Sequence, residues 1–382
     1  MTTTDDIPTT EPAPGSSVDG GDLPLDAVVL AAGEGSRMRS ARPKPIHRLC
    51  GRPMLQYVVD SLSGARVGRV VIVIGHRGDW VARTMREWVD GVDLAFVEQA
   101  QQRGTGDAAS VGLVGLSDES DDGDVVVLPG DTPLLRPETI SALVAHHRAT
   151  GAAATLLSAR MPDPTGYGRV VRGADGRVLR IVEHRDATPE EHLIDEVNTS
   201  IYCFRRSLLA PALRRIGPDN AQGEYYLTDV VEVFNGTGHR VEAVVADDAD
   251  ETLGVNDRLQ LAAAEAVLRR RTNDQLQRDG VTMVDPGSVY VDTTVTVGRD
   301  VTLFPGTILQ GSTVVGDESE IGPDTRLVDC TVGAGSRLER VTGRDATVGD
   351  RCVVGPYAVL EPGAEVPSDT STGAFYTAVP EH

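Results

Sequence analysis

From residue 25 onward, short apolar runs at residues 27–31, 67–74, 94–98 and 125–128 alternate with segments whose apolar residues recur every three or four positions. Those segments fall at 54–62, 81–88, after Gly106 and at 137–149, the last with Pro137 in its first turn. Buried strands alternating with helices predict a Rossmann-like α/β domain, a mostly parallel sheet covered by helices on both faces. Residues 154–206 change to strand-and-turn character, with the run Arg169-Val-Val-Arg172, the turn Ala174-Asp-Gly176 and apolar positions through 177–183 and 197–204. This predicts an inserted hairpin and a further strand. Helices are expected again at 207–215 and 225–234, then a long one from about 257 to 277, before Gly280.

After that helix the period becomes six. Val291, Val297, Leu303, Leu309, Val315, Ile321 and Leu327 follow one another without a miss, and Val332, Leu338, Val348, Val354, Leu360 and Val366 resume the pattern after small register breaks. This is the hexapeptide repeat of a short left-handed parallel β-helix, in which each aliphatic side chain points into a triangular coil. Such a solenoid can serve packing or trimerisation alone. The expected boundaries are a disordered tail at 1–24, the α/β domain at 25–256, a linker helix at 257–280, the β-helix at 281–370 and a tail at 371–382.

Composition narrows the function. A net charge of −21 over 382 residues argues against nucleic acid and anionic membranes as partners. No apolar run approaches the roughly 20 residues of a membrane span, and residues 1–24 lack a basic segment followed by an apolar one, so a cytoplasmic location is expected. Cys50, Cys203, Cys330 and Cys352 have no metal-ligand spacing and predict buried free thiols. Lysine occurs once, at Lys44, although Lys and Arg together number 36.

Lys44 stands in Leu30-Ala-Ala-Gly33-Glu-Gly35-Ser-Arg37-Met-Arg-Ser-Ala-Arg-Pro-Lys44, directly after a strand. Small residues let backbone N–H groups approach a phosphate, and Arg37 and Lys44 add charge; Met38 and Arg39 occupy the place of a third glycine, so the dinucleotide fingerprint fails. Asp131 in Gly130-Asp131 falls at the carboxyl end of the 125–128 strand, where it can hold Mg²⁺. Asn256 is a second candidate oxygen, with helix capping as its alternative role.

These motifs resemble the signature of the sugar-1-phosphate nucleotidylyltransferases. Further runs are similar to the bifunctional N-acetylglucosamine-1-phosphate uridylyltransferase/glucosamine-1-phosphate acetyltransferase (GlmU-type) family over residues 26–366. They are Gln99-Ala-Gln-Gln102-Arg-Gly104-Thr-Gly, Asp163-Pro-Thr-Gly-Tyr-Gly168-Arg, Ile181-Val-Glu183, Glu196-Val-Asn198-Thr, Asn220-Ala-Gln-Gly-Glu224-Tyr-Tyr-Leu-Thr228-Asp and Gly254-Val-Asn256-Asp. The resemblance implies that Ala32, Gly33, Arg37 and Lys44 contact the nucleotide and its phosphates. It gives Gln99, Gln102, Gly104 and Thr105 the base, Gly168, Glu183, Asn198 and Thr228 the sugar phosphate, and Asp131 with Asn256 the Mg²⁺. The implied reaction is in-line attack of a sugar-phosphate oxygen on the α-phosphorus of an NTP, with Arg37 and Lys44 as catalytic cations.

Departures from the family shape the remaining expectations. The hexads account for fewer coils than the family carries, no histidine lies between His239 and His382, and Glu361 stands where the family has an arginine, so acetyl transfer is not expected. Arg103, Asp107 and Pro129 replace an aliphatic residue, a histidine and a tyrosine beside the first site. An arginine beside the base can read guanine O6 and N7. The leading expectation is therefore a specialised enzyme of antibiotic biosynthesis, similar to the valienol-1-phosphate guanylyltransferases and using GTP with a cyclitol 1-phosphate. The alternatives are UTP with N-acetylglucosamine 1-phosphate, an idle sugar-nucleotide-sensing or assembly subunit, and an acyltransferase. A homotrimer through the β-helix is the expected assembly.

Overall fold

The computed structural model describes residues 23–116 and 122–380. Apart from Leu23 and Pro24, the expected tail at 1–24 lies outside the described residues. Strands β1 (Leu25–Ala31), β2 (Arg69–Ile74), β3 (Asp93–Glu98) and β4 (Asp124–Pro129) run parallel, separated by helices α1 (Met54–Asp60), α2 (Gly78–Trp88), α3 (Thr105–Val114) and, after β4, α4 (Pro137–Thr150). The sheet continues with β5 (Ala154–Arg160), the hairpin β6 (Arg169–Arg172) and β7 (Val178–Val182), then β8 (Glu196–Arg205) and β9 (Val241–Val245). Its order is β3-β2-β1-β4-β8-β5-β9, with β8 antiparallel to both neighbours.

The all-apolar strands are explained by burial on both faces. Val28 packs with Val71, Val73, Val125 and Val127 in one core, while Ala27 and Val29 pack with Val70, Ile72, Val126 and Leu128 in the other. From β1 the chain winds outward to β3 and then returns to β4 on the other side of β1. The loops leaving β1 and β4 therefore part at the carboxyl edge and open a crevice between them.

Helices α5 (Arg206–Leu213) and α6 (Val230–Gly236) follow, and α7 (Arg258–Arg278) closes the domain. Two expectations need correction, and one strand was not anticipated. The strand β9, parallel to β5 at the sheet edge, is too short and too charged at its start to stand out by pattern. The helix expected from 225 begins only at Val230, because residues 225–227 bind the loop before α3. Tyr225 N–H donates to Arg103 O, Gly106 N–H to Tyr225 O and Leu227 N–H to Thr105 Oγ1, at 2.8, 2.7 and 3.0 Å. The tail expected from 371 instead contains the strand Thr377–Ala378, which pairs with Val359–Leu360, and Ala378 is buried.

Beyond α7, three parallel sheets of five or six very short strands form the triangular coils of the left-handed β-helix. Successive partners Leu303, Ile321, Leu338 and Val354 step by 18, 17 and 16 residues, which accounts for the breaks in the hexad count. On the next face Gly343 takes the inward slot between Leu327 and Leu360; a Cβ there would lie 3.1 Å from Leu327 and 3.3 Å from Cys330 Sγ. Two residues before most inward aliphatics sits a small buried residue, among them Thr307, Thr313, Ser319, Cys330, Ser336 and Cys352. All four cysteines are free and buried.

The two domains meet through α7 and one coil corner. Leu49, Met54, Tyr57 and Leu134 form a core with Ala264 and Leu268 of α7. Thr293 N–H donates to Cys50 O at 3.2 Å, and the Thr293 and Tyr57 hydroxyls lie 2.9 Å apart. Among the described residues, no helix is long and apolar enough to cross a membrane.

Candidate active site

The crevice between the ends of β1 and β4 is a cleft of about 410 Å³. The β1 loop reaches into it because Gly35, at φ 62°, lets Lys44 lie against the backbone; a Cβ at Gly35 would sit 2.7 Å from Lys44 Cβ. Asp131 follows β4, and Val255 N–H donates to its carbonyl at 2.8 Å, which brings the segment before α7 alongside. The N-cap of α7 is Asp257, whose side chain accepts from Gln260 N–H at 2.9 Å, while Asn256 N–H donates to Gln260 Oε1 at 2.7 Å. This pairing caps the helix through Asp257 and leaves the Asn256 side chain, itself outside the cleft lining, available to Lys44 and Arg37.

Four predicted residues thus converge from three segments. The Lys44 ammonium donates to Asp131 Oδ2 and, at 2.9 Å, to Asn256 Oδ1, and Arg37 donates to the same Asn256 oxygen at 2.9 Å. Two hard oxygens gathered on a single positive centre are the donor set expected of a Mg²⁺ site whose remaining ligands are phosphate and water. The Lys44 ammonium is the positive centre these oxygens hold, and by their donor atoms Asp131 and Asn256 fit such a cation.

Ala32, Gly33, Gln99, Gln102, Gly104 and Thr105 line the same cleft. Gln102 is fixed by donating to Ala32 O at 2.6 Å, and Gln99 by donating to Asp107 Oδ2 at 2.8 Å. Gly104 is required at φ 109°, where a Cβ would lie 2.5 Å from Tyr225 O. Arg103 lies elsewhere. Its guanidinium donates to Asp107 Oδ1 at 2.5 Å and faces the Tyr225 ring, more than half exposed and outside the cleft lining.

On the far side Glu183 and Thr228 line the cleft, with Thr228 Oγ1 donating to Glu183 Oε1 at 3.2 Å. Burial above all, then the neighbouring Asp229, Asp186 and Glu224, pushes the Glu183 carboxyl up from the ordinary range. Gly168 and Asn198 stand one layer behind. A Cβ at Gly168 would come within 3.6 Å of the Glu183 carboxylate, and Asn198 N–H donates to Gly168 O at 2.9 Å. The Asn198 side-chain oxygen accepts from Ser200 N–H at 3.2 Å across a bulge in β8 that turns Ser200 toward the cleft.

Reasoning from motifs missed Ser200, Tyr202, Gln222, Glu224 and Tyr226 as lining residues. The Asn220-to-Asp229 run was the available signal for the last three. Tyr202 had none, since only the pairing of β8 brings this buried residue to the cleft wall.

Asp229, at the edge of this acidic half, has its carboxyl pushed up to about 6 by burial, then by Glu232 and Asp186. In the unfolded chain an aspartate titrates near 3.9. The folded state therefore binds the extra proton between those values, and stability falls as pH rises through that window. Asp229→Asn should stabilise the protein by on the order of 1–3 kcal/mol at pH 8 and by almost nothing near pH 4. Urea melts at the two pH values measure this; an equal effect at both would remove the titration account.

A model described as the MobA-like NTP transferase domain matches residues 27–228. The chain is 47% identical to the "Bifunctional protein GlmU" of Mycolicibacterium vanbaalenii over 350 residues, covering 91% of this chain and 71% of the relative. Proteins of the same name from Streptomyces avermitilis and Desulfitobacterium hafniense are each 44% identical, covering 92% and 91% of this chain and 73% and 75% of the relatives.

Proposed function

The chain belongs to the GlmU-type sugar-1-phosphate nucleotidylyltransferases, and on that premise we propose that it joins UTP and N-acetylglucosamine 1-phosphate into UDP-N-acetylglucosamine and pyrophosphate. The observation that carries the transfer chemistry is the convergence of Lys44, Arg37, Asp131 and Asn256 across the cleft from Glu183 and Thr228. Retention of this set speaks against an idle sensor subunit. The choice of UTP rests on the likeness to the GlmU proteins and on Arg103, the residue behind the guanylyl reading, being held outside the cleft by Asp107.

Lys44 and Arg37 supply compact and forked positive charge to the phosphates, stabilising the charge that builds on equatorial and leaving oxygens. Asp131 and Asn256 would hold Mg²⁺, which when bound neutralises phosphate oxygens. The backbone N–H groups of the β1 loop orient the triphosphate, and Glu183 accepts from sugar hydroxyls. No side chain acts as nucleophile. We assign the chain nucleotidyl transfer alone, since residues 282–378, which build the coils, contain no histidine and carry Glu361 at the family's arginine position.

Pyrophosphate release over the four NTPs and a panel of hexose, N-acetylhexosamine and cyclitol 1-phosphates tests the substrates. The highest kcat/KM should fall to UTP with N-acetylglucosamine 1-phosphate; GTP with a cyclitol phosphate in first place would restore the guanylyl reading.

The β-helix exposes Val353, Tyr357, Val359 and Phe375, which supports a homotrimer built there. Truncation after residue 285 should leave kcat/KM within a few-fold of the parent, because every proposed ligand precedes residue 257, while removing any trimer seen by sedimentation. Loss of activity in a folded monomer would show that the solenoid completes the site.

A further inference from the structure

We infer that Asp107 is a specificity-determining positioning residue. It fixes Gln99 as a hydrogen-bond acceptor toward the nucleotide base and so selects bases that carry a ring N–H on their pairing edge. The inference rests on the reading that Gln99 meets the base.

Gln99 lies at the end of the segment leaving β3, almost wholly buried, with one side toward the cleft. Its Nε2 donates to Asp107 Oδ2 at 2.8 Å and to Gly104 O at 3.3 Å. Both neighbours can only accept: one is a peptide carbonyl, the other a carboxylate paired with Arg103 at 2.5 Å. The group between them must therefore be the NH₂ of the amide, and both of its hydrogens are taken. Only Oε1 remains for a ligand.

A fixed acceptor sorts the four bases. Uracil at N3 and guanine at N1 present an N–H to it; cytosine at N3 and adenine at N1 present a lone pair, and the two acceptors repel. Buried polar groups left facing each other in this way reject a ligand more strongly than lost contact does. Asp107 is partly sequestered on the first turn of α3 and touches Gln99 directly, so it sets this polarity without entering the cleft.

The decisive variant is Asp107→Asn, close in shape but able to donate. With Arg103 keeping the oxygen of the new amide, its NH₂ faces Gln99 and donates to Oε1; that bond turns the Gln99 NH₂ toward the base, at the expense of the longer 3.3 Å contact with Gly104 O, and makes cytosine N3 an acceptable partner. Equilibrium binding of UTP and CTP to the full chain, with Mg²⁺ and without the second substrate, reads the effect. The parent should prefer UTP by at least about tenfold, and Asp107→Asn should cut the UTP-to-CTP affinity ratio at least tenfold, chiefly by gaining CTP. Arg103→Leu, which keeps Gln99 on Asp107, should hold the parent's ratio. A purely structural role for Asp107 would weaken both nucleotides alike; a ratio in Asp107→Asn within twofold of the parent's would overturn the inference while leaving the uridylyl reading intact. A parent that binds UTP and CTP equally would instead sink the reading that Gln99 meets the base.

Discussion

Lys44→Ala should lower kcat and kcat/KM together by on the order of 10² or more, with the far-ultraviolet spectrum and the urea midpoint close to those of the parent. The side chain is largely buried, and its ammonium bridges Asp131 and Asn256. On the proposed function, substrates would draw those oxygens to a metal and the ammonium to phosphate, so the contact seen would be a holding position. Removing the ammonium takes away a charge that matters most when charge builds on the transferring phosphoryl group. The neighbouring Arg37 cannot substitute fully, because its planar fork is held on Asn256 outside the cleft lining, beside Asp257 and Arg258. A rise in KM with kcat unchanged would recast Lys44 as a ground-state binding residue.

Asp131→Asn should be more severe, abolishing pyrophosphate release to at least about 10³-fold below the parent, and EDTA should do the same to the parent until Mg²⁺ is restored. The substitution keeps the shape of the side chain and removes the one carboxylate of the oxygen pair. Binding of Mn²⁺ in the presence of UTP gives a second readout; it should be strong in the parent and lost in the variant. Undiminished turnover in EDTA would eliminate the metal.

How much of this was legible in the sequence depended on whether a residue's role was set locally. The inward aliphatics of the coils repeat every six residues because each faces the same interior, so the β-helix was readable from Val291 to Val366. Lys44 and Asp131 were readable because each directly follows a β-strand or its loop, at the sheet edge where ligands bind. Asn256 carried two local readings, and only the pairing of Asp257 with Gln260 decided between them. Arg103 was misleading for the same reason. A long cation on a loop takes the nearest fixed carboxylate; Asp107, four residues on, was in view as a partner, but nothing in the order of residues says that Gln99 is already bound to it. The late start of α6 and the bulge at Ser200 are likewise products of contacts between distant segments, with Thr105 and Gly106 in one case and with β5 in the other.

The proposed function requires direct transfer of a nucleotidyl group between two substrates held across one cleft. Its most direct test is the fate of label from UTP in a single incubation with N-acetylglucosamine 1-phosphate, Mg²⁺ and the purified chain. Label placed on the α-phosphorus should appear in UDP-N-acetylglucosamine, label on the γ-phosphorus should appear in an equal amount of pyrophosphate, and neither should be found on the protein after rapid quenching. Appearance of α-label on the protein, or of γ-label as free phosphate with no nucleotide sugar formed, would contradict it.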